Sequence, residues 1–180
     1  FNVKSGFQVS AKDYFHNDNL IFKYADQIQK FYEEKKLLRD LNPNKKVFLA
    51  RKNTIRNYNQ DEITKIARKY KFKEFYLEDL DLSEQILLFS EAKYIVGPSG
   101  AAWTGLIFAK NNKLKCLSWL PDYLNQASNY SNLANLLNHD LKFIKIDDKF
   151  NNDIDYNFHC DFYTLNPDLF EREIKKLILN

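Results

Sequence analysis

Methionine is absent from all 180 residues, and position 1 is Phe1. The chain is therefore expected to be a piece of a longer protein. Cysteine is nearly absent: Cys116 and Cys160 are the only two, and no C-x-x-C occurs. That argues against a disulfide framework and against a structural zinc site. No apolar run approaches the roughly 18–20 residues that a membrane span needs. Glycine numbers four and forms neither a G-x-G-x-x-G nor a Walker loop. Neither sign of charge dominates. Lys and Arg total 27 against 24 Asp and Glu, a net +3, and the charges are interspersed. A dedicated nucleic-acid binder needs a stronger and more clustered positive field. Arginine is scarce, five in all, which draws attention to where the arginines sit.

Apolar side chains are plentiful. Hydrophobic residues make up 44% and aromatics 16%, with 15 Phe and 11 Tyr, enough to bury a real core. The length fits one large domain or one and a half small ones. A short strand is expected around Phe7–Ser10. From Asn19 to Arg39 the apolar positions Ile21, Ala25, Ile28, Phe31 and Leu38 share one stripe, which predicts an amphipathic helix. Asn42-Pro43-Asn44 then breaks the chain. Beyond Lys46 strand and helix alternate. Strands are predicted at Val47–Ala50, Glu74–Leu77, Tyr94–Val96, Leu114–Leu117 and Leu141–Ile146. Helical spacing appears through Ile63–Tyr70, Leu82–Ala92, Ala101–Ala109 and Tyr130–Leu137. Asn166-Pro167 predicts the N-cap and first residue of a closing helix. Such alternation with short connections implies a doubly wound, mostly parallel, Rossmann-like α/β sheet. Its ligands are expected at the carboxyl ends of the strands.

Two loops at such ends carry candidate chemistry. Ala50-Arg51-Lys52-Asn53-Thr54-Ile55-Arg56-Asn57 holds two of the five arginines. Planar guanidiniums at Arg51 and Arg56 suit phosphate oxygens, although a solvated basic loop reads the same way. Asn59 and Glu62 have capping-box spacing for the next helix. Gly97-Pro98-Ser99-Gly100-Ala101 joins a buried strand to an apolar helix. There the glycines let a ligand approach the backbone and the helix start favours an anion; a tight packing turn is the alternative. Asp81 and Glu84 have D-x-x-E capping spacing as well, which leaves the formal D-x-D of Asp79 and Asp81 a weak metal pattern, and Asp153 and Asp155 a weaker one. His159-Cys160-Asp161 is adjacency in sequence and not a triad. His16 and His139 lack ligand spacing, and Trp103 and Trp119 read as core or pocket wall.

The order of these features is more specific than any one of them. Arg51, Arg56, Asn59 to Glu62, Leu82-Ser83-Glu84-Gln85 and then Ala92-Lys93-Tyr94-Ile95-Val96-Gly97-Pro98-Ser99-Gly100-Ala101 resemble the C-terminal domain of glycosyltransferase family 61. That family includes capsular polysaccharide biosynthesis proteins and eukaryotic xylosyl- and N-acetylglucosaminyltransferases. The resemblance runs from about Lys45 to Leu179. It implies residues 45–180 as a donor-binding domain like the C-terminal half of a two-domain, B-type glycosyltransferase. Residues 1–44 are then a lead with one amphipathic helix. It also implies an inverting, metal-independent transfer from a nucleotide sugar to a glycan acceptor in capsular or surface polysaccharide synthesis. No cofactor is expected, because the nucleotide sugar is a substrate. The donor-binding residues implied are Arg51, Arg56, Asn57, Glu84, Gln85, Gly97, Ser99, Gly100, Ala101 and Ser118, with no metal ligand. The catalytic base is unassigned and is expected in a missing N-terminal domain. A homodimer is the other way to cover that interface. The expected location is cytoplasmic, peripheral to the inner membrane.

Two positions depart from the family pattern. Ser99 stands where the family usually has His, and Ser118 lies near where it usually has an acidic residue that holds the nucleotide ribose. These departures motivate the alternative of a degenerate, non-catalytic nucleotide-sugar-binding or assembly module of the same fold.

Overall fold

Parallel strands must be joined by long crossovers, usually helical, and this chain supplies a helix before nearly every strand. The computed structural model describes residues 18–35, 45–52, 57–109, 112–121, 129–146 and 162–179. Helix α1 (Asp18–Glu34) comes first. Then follow β1 (Lys45–Ala50), α2 (Gln60–Lys69), β2 (Lys73–Tyr76) and a 3-10 turn (Leu77–Asp79). Helix α3 (Leu82–Glu91), β3 (Ala92–Pro98), a 3-10 helix (Ala101–Ala109) and β4 (Lys115–Pro121) continue the chain. It closes with α4 (Asn129–Leu136), β5 (Asp140–Ile146) and α5 (Pro167–Leu179). The strand expected at Phe7–Ser10 lies outside the described residues.

The five strands form one sheet in the order β2-β1-β3-β4-β5, and every pairing is parallel. This is the doubly wound α/β architecture expected. From β1 the chain steps to β2 in one direction, then crosses back past β1 to β3. Right-handed crossovers must then place the two connecting helices on opposite faces. The packing agrees. One face carries Leu49, Ile95 and Cys116 of the sheet under Leu88 and Phe89 of α3, Trp103 and Leu106 of the 3-10 helix, and Leu133 of α4. The other carries Phe48, Val96 and Trp119 under Ile63 and Ala67 of α2 and Phe170, Ile174 and Leu177 of α5. Each Leu, Ile, Val or Phe among them contributes about 1.5–3 kcal/mol when fully removed from water. Helix α1 lies against the 3-10 helix and buries Ala25 and Tyr32.

Local signals behave as their chemistry predicts in two places. Asp81 Oδ1 accepts from Glu84 N at 2.8 Å while Glu84 Oε2 accepts from Asp81 N at 2.9 Å, a complete capping box on α3. Asn166 Oδ1 accepts from Leu169 N at 3.0 Å ahead of Pro167. In two places the fold overrides them. Asn59 makes no side-chain cap on α2. Instead its amide grips Leu165, with Nδ2 donating to the carbonyl at 3.0 Å and Oδ1 accepting from the N–H at 2.9 Å. Residues Ala101–Ala109 coil as a 3-10 helix, an unusual length for that form. Gly105 is pressed so closely on the Phe89 ring that no Cβ fits. Trp103 Nε1 also ties the first turn to the Pro98 carbonyl at 2.9 Å.

Candidate functional site

The strand order reverses between β1 and β3, and a cleft opens there at their carboxyl ends. Open α/β sheets bind ligands at this place because adjacent connections leave for opposite faces. The cavity is about 460 Å³, within the range of small-molecule sites. Its walls include Leu49, Ala50 and Arg51 from the end of β1 and Leu77 and Glu78 from the turn after β2. Gln85 of α3, Pro98, and Gly100, Ala101, Ala102, Thr104, Gly105 and Phe108 around the 3-10 helix complete them.

Arg51 is the basic group among the described residues that line this cleft. Its Nη2 donates to the Ser99 carbonyl at 2.7 Å, so the side chain bridges the ends of β1 and β3. Its backbone is gripped by the Gln60 amide at the start of α2. Arg51 N donates to Gln60 Oε1 at 2.8 Å, and Gln60 Nε2 donates to the Arg51 carbonyl at 3.0 Å. Tyr58 OH also donates to Gln60 Oε1, at 3.0 Å. Burial, reinforced by the neighbouring Tyr163, pushes the Tyr58 phenol well above its ordinary pKa. Tyr58 therefore stays protonated and remains a donor. On the opposite wall Gln85 Nε2 donates to the Leu77 and Leu80 carbonyls at 3.1 and 3.0 Å, holding the β2 turn against α3. Lys52 and Asp79 form an exposed ion pair.

Of the residues singled out in the sequence, Arg51, Gln85, Gly100 and Ala101 line the cleft together. Arg56 lies outside the described residues, as do His16, Asp153, Asp155 and His159-Cys160-Asp161. Asn57 is exposed and offers its carbonyl to Tyr163 N at 3.0 Å. Glu84 is occupied in the capping box. Gly97 supports the floor. A Cβ there would stand 2.8 Å from Leu49 Cβ and 3.0 Å from the Leu49 carbonyl, so the glycine is required by close strand packing. Ser99 is 7% exposed and Ser118 is fully buried. Ser118 Oγ has no partner among the described residues. Trp103 and Trp119 are both fully buried core.

His139 is a structural histidine. Its Nδ1 accepts from Leu114 N at 3.3 Å, which leaves Nε2 protonated and facing the Leu106 carbonyl at 3.2 Å. Burial lowers its pKa. Asp79 is paired with Lys52 and Asp81 caps α3. Among the described residues, no group of three or more His, Cys, Asp and Glu is placed to hold a metal ion. Also among the described residues, no helix is long and apolar enough to cross a membrane.

Sequence reasoning missed Gln60, Glu78, Thr104 and Phe108. Glu78 follows a strand end, which is the one signal that marked it. The others reach the site only through crossovers whose direction the sequence does not write.

Residues 3–116 match the sequence model of the family Glycosyltransferase 61. The matched span takes in α1 and every wall residue of the cleft. It starts earlier than the resemblance carried by the motifs and ends within β4, so Tyr130–His139 and Asn166–Leu169 lie beyond it. No curated protein matches the chain. The match covers well over half of the chain, and the ordered motifs from Arg51 to Ala101 fall inside it: the chain belongs to glycosyltransferase family 61.

Proposed function

We propose that the cleft between β1 and β3 holds the diphosphate of a nucleotide-sugar donor, and that this chain is the donor-binding half of an inverting glycosyltransferase. The observation that carries the reading is the seat of Arg51. Its guanidinium rests on the Ser99 carbonyl at 2.7 Å, beside the start of the 3-10 helix, on the wall of a cavity at the sheet's switch point. In the transfer, an acceptor hydroxyl oxygen bonds to the anomeric carbon. The bond from that carbon to the diphosphate oxygen breaks and its electron pair leaves with the diphosphate. The hydroxyl proton passes to a base supplied from outside residues 45–180. Arg51, Arg56 and the peptide N–H groups at the helix start meet the negative charge that grows on the leaving group, without a metal ion.

The acceptor we propose is a growing capsular or surface polysaccharide. The presence of capsular polysaccharide biosynthesis proteins in the family supports this. The reaction is placed in the cytoplasm, where nucleotide sugars are made, at the inner face of the membrane.

The test is a calorimetric titration of UDP, GDP and UDP-sugars into the protein and into Arg51→Ala. A lost charge-assisted hydrogen bond costs about 1.5–3 kcal/mol, so affinity falls roughly 10- to 150-fold. Equal affinity in both proteins, or binding by neither, defeats the assignment.

A second reading is a non-catalytic nucleotide-sugar-binding or assembly module of the same fold. It is favoured by Ser99 and Ser118, both buried, where the family pattern usually places a histidine and, nearby, an acid. Under this reading Ser99→His changes nothing, and a gain in nucleotide affinity counts against it.

A further inference from the structure

The cleft explains why Arg51 is where it is, but not what holds it there. A two-point amide grip on a backbone is a strong local restraint, because the side chain satisfies the N–H and the carbonyl of one residue together. Gln60 does this to Arg51, at 2.8 and 3.0 Å. Gln60 is itself held from the other side by Tyr58 OH at 3.0 Å. Tyr58 lies flat on Tyr163, rings 5.5 Å apart and 10° from parallel, and the two residues form a parallel β-bridge. Next to them the Asn59 amide grips Leu165 in the same two-point manner. Tyr163 N donates to the Asn57 carbonyl at 3.0 Å. Residues 163–165 thus brace both the end of the arginine loop and the start of α2, from a part of the chain beyond the matched family span.

We infer that Gln60 is the positioning residue for Arg51, and that the segment Tyr163–Leu165 completes the donor site through Tyr58 and Gln60 without touching the donor. The inference rests on the donor-site reading of Arg51. A guanidinium on a flexible stem binds a diphosphate well only when little freedom remains to be lost. The brace fixes the backbone from which that stem springs, so that Nη2 meets the Ser99 carbonyl before the ligand arrives. The path has four members in contact: Tyr163 on Tyr58, Tyr58 on Gln60, Gln60 on Arg51. Its effect on binding must therefore run through Arg51.

The experiment is a double-mutant cycle read as UDP affinity, with melting temperature measured alongside. Gln60→Ala is expected to weaken UDP binding about tenfold, and Tyr58→Phe, which removes only the hydroxyl, about two- to threefold. In the Arg51→Ala background both effects on affinity vanish, while the loss in melting temperature persists. A purely structural role would lower affinity equally in both backgrounds, and that result overturns the inference. Wild-type affinity in Gln60→Ala and Tyr58→Phe, with Arg51→Ala weakened, also overturns it and leaves the donor-site reading standing. If Arg51→Ala binds UDP like wild type, or the wild-type protein binds none, the donor-site reading fails and the inference fails with it.

Discussion

Gly105→Ala is the sharpest probe of how the cleft wall is built. Gly105 lies in the 3-10 helix and faces Phe89 of α3, and a methyl group there would stand only 2.2 and 2.3 Å from the Phe89 ring carbons Cε2 and Cζ. Phe89 is fully buried in the same core cluster as Leu49, Ile95, Trp103 and Leu106, so the ring can yield only by displacing its neighbours in a close-packed interior. Overpacking of this kind costs about 1–3 kcal/mol, and a Cβ only 2.2 Å from a Phe89 ring carbon places this site at the upper end. For a chain of this length that is a fall in melting temperature of roughly 5–10 °C. Gly105 and Thr104 both line the cleft, so nucleotide affinity falls as the 3-10 helix is pushed outward. The companion variant Phe89→Leu trims the ring and alone costs about 1–2 kcal/mol through the space it leaves. If the clash is with the ring, the two changes compensate, and the double variant melts above Gly105→Ala. Thermal denaturation followed by circular dichroism measures all three. A Gly105→Ala protein with wild-type melting, or strict additivity of the two changes, refutes this account of the wall.

Asp81→Ala removes the Oδ1 that accepts from Glu84 N, while the Asp81 N–H can still donate to Glu84, and lowers stability by about 1 kcal/mol. Because neither Asp81 nor Glu84 lines the cleft, UDP affinity stays unchanged; a loss of affinity would show that this acidic turn does more than cap α3. The depressed pKa of His139 sets a pH dependence with a definite sign. The unfolded chain binds a proton below about 6.5, whereas the folded state resists one because burial disfavours the charged imidazolium. The contribution of His139 is therefore present above pH 6.5 and is lost as the pH falls toward its lower folded-state value. His139→Gln removes this part of the acid sensitivity, and a pH series of melting temperatures in which both proteins decline in parallel contradicts the assignment.

Much of the architecture is legible in the sequence because it rests on interactions that span four residues or fewer. Alternating apolar runs and helical stripes mark the five strands and most of the helices. The Asp81–Glu84 box and the Asn166 cap are local pairs, and both form. Arg51 is marked by following a buried strand, since a strand's carboxyl end in a parallel sheet is where ligands bind. What the sequence could not carry is anything joining distant segments. Asn59 has cap spacing, yet it takes Leu165, 106 positions away, because α5 packs beside α2 on one face of the sheet. Gln60 reads as an ordinary first residue of a helix until β1 ends beside it. Ser118 reads as a loop-end hydroxyl, but β4 runs on to Pro121 and leaves it sealed inside the sheet. Ala101–Ala109 takes the 3-10 form, with Gly105 against the Phe89 ring, a contact that no periodicity encodes. Local spacing determined the elements and placed the arginine. The strand order, which only tertiary packing decides, determined which residues stand around it and what holds it still.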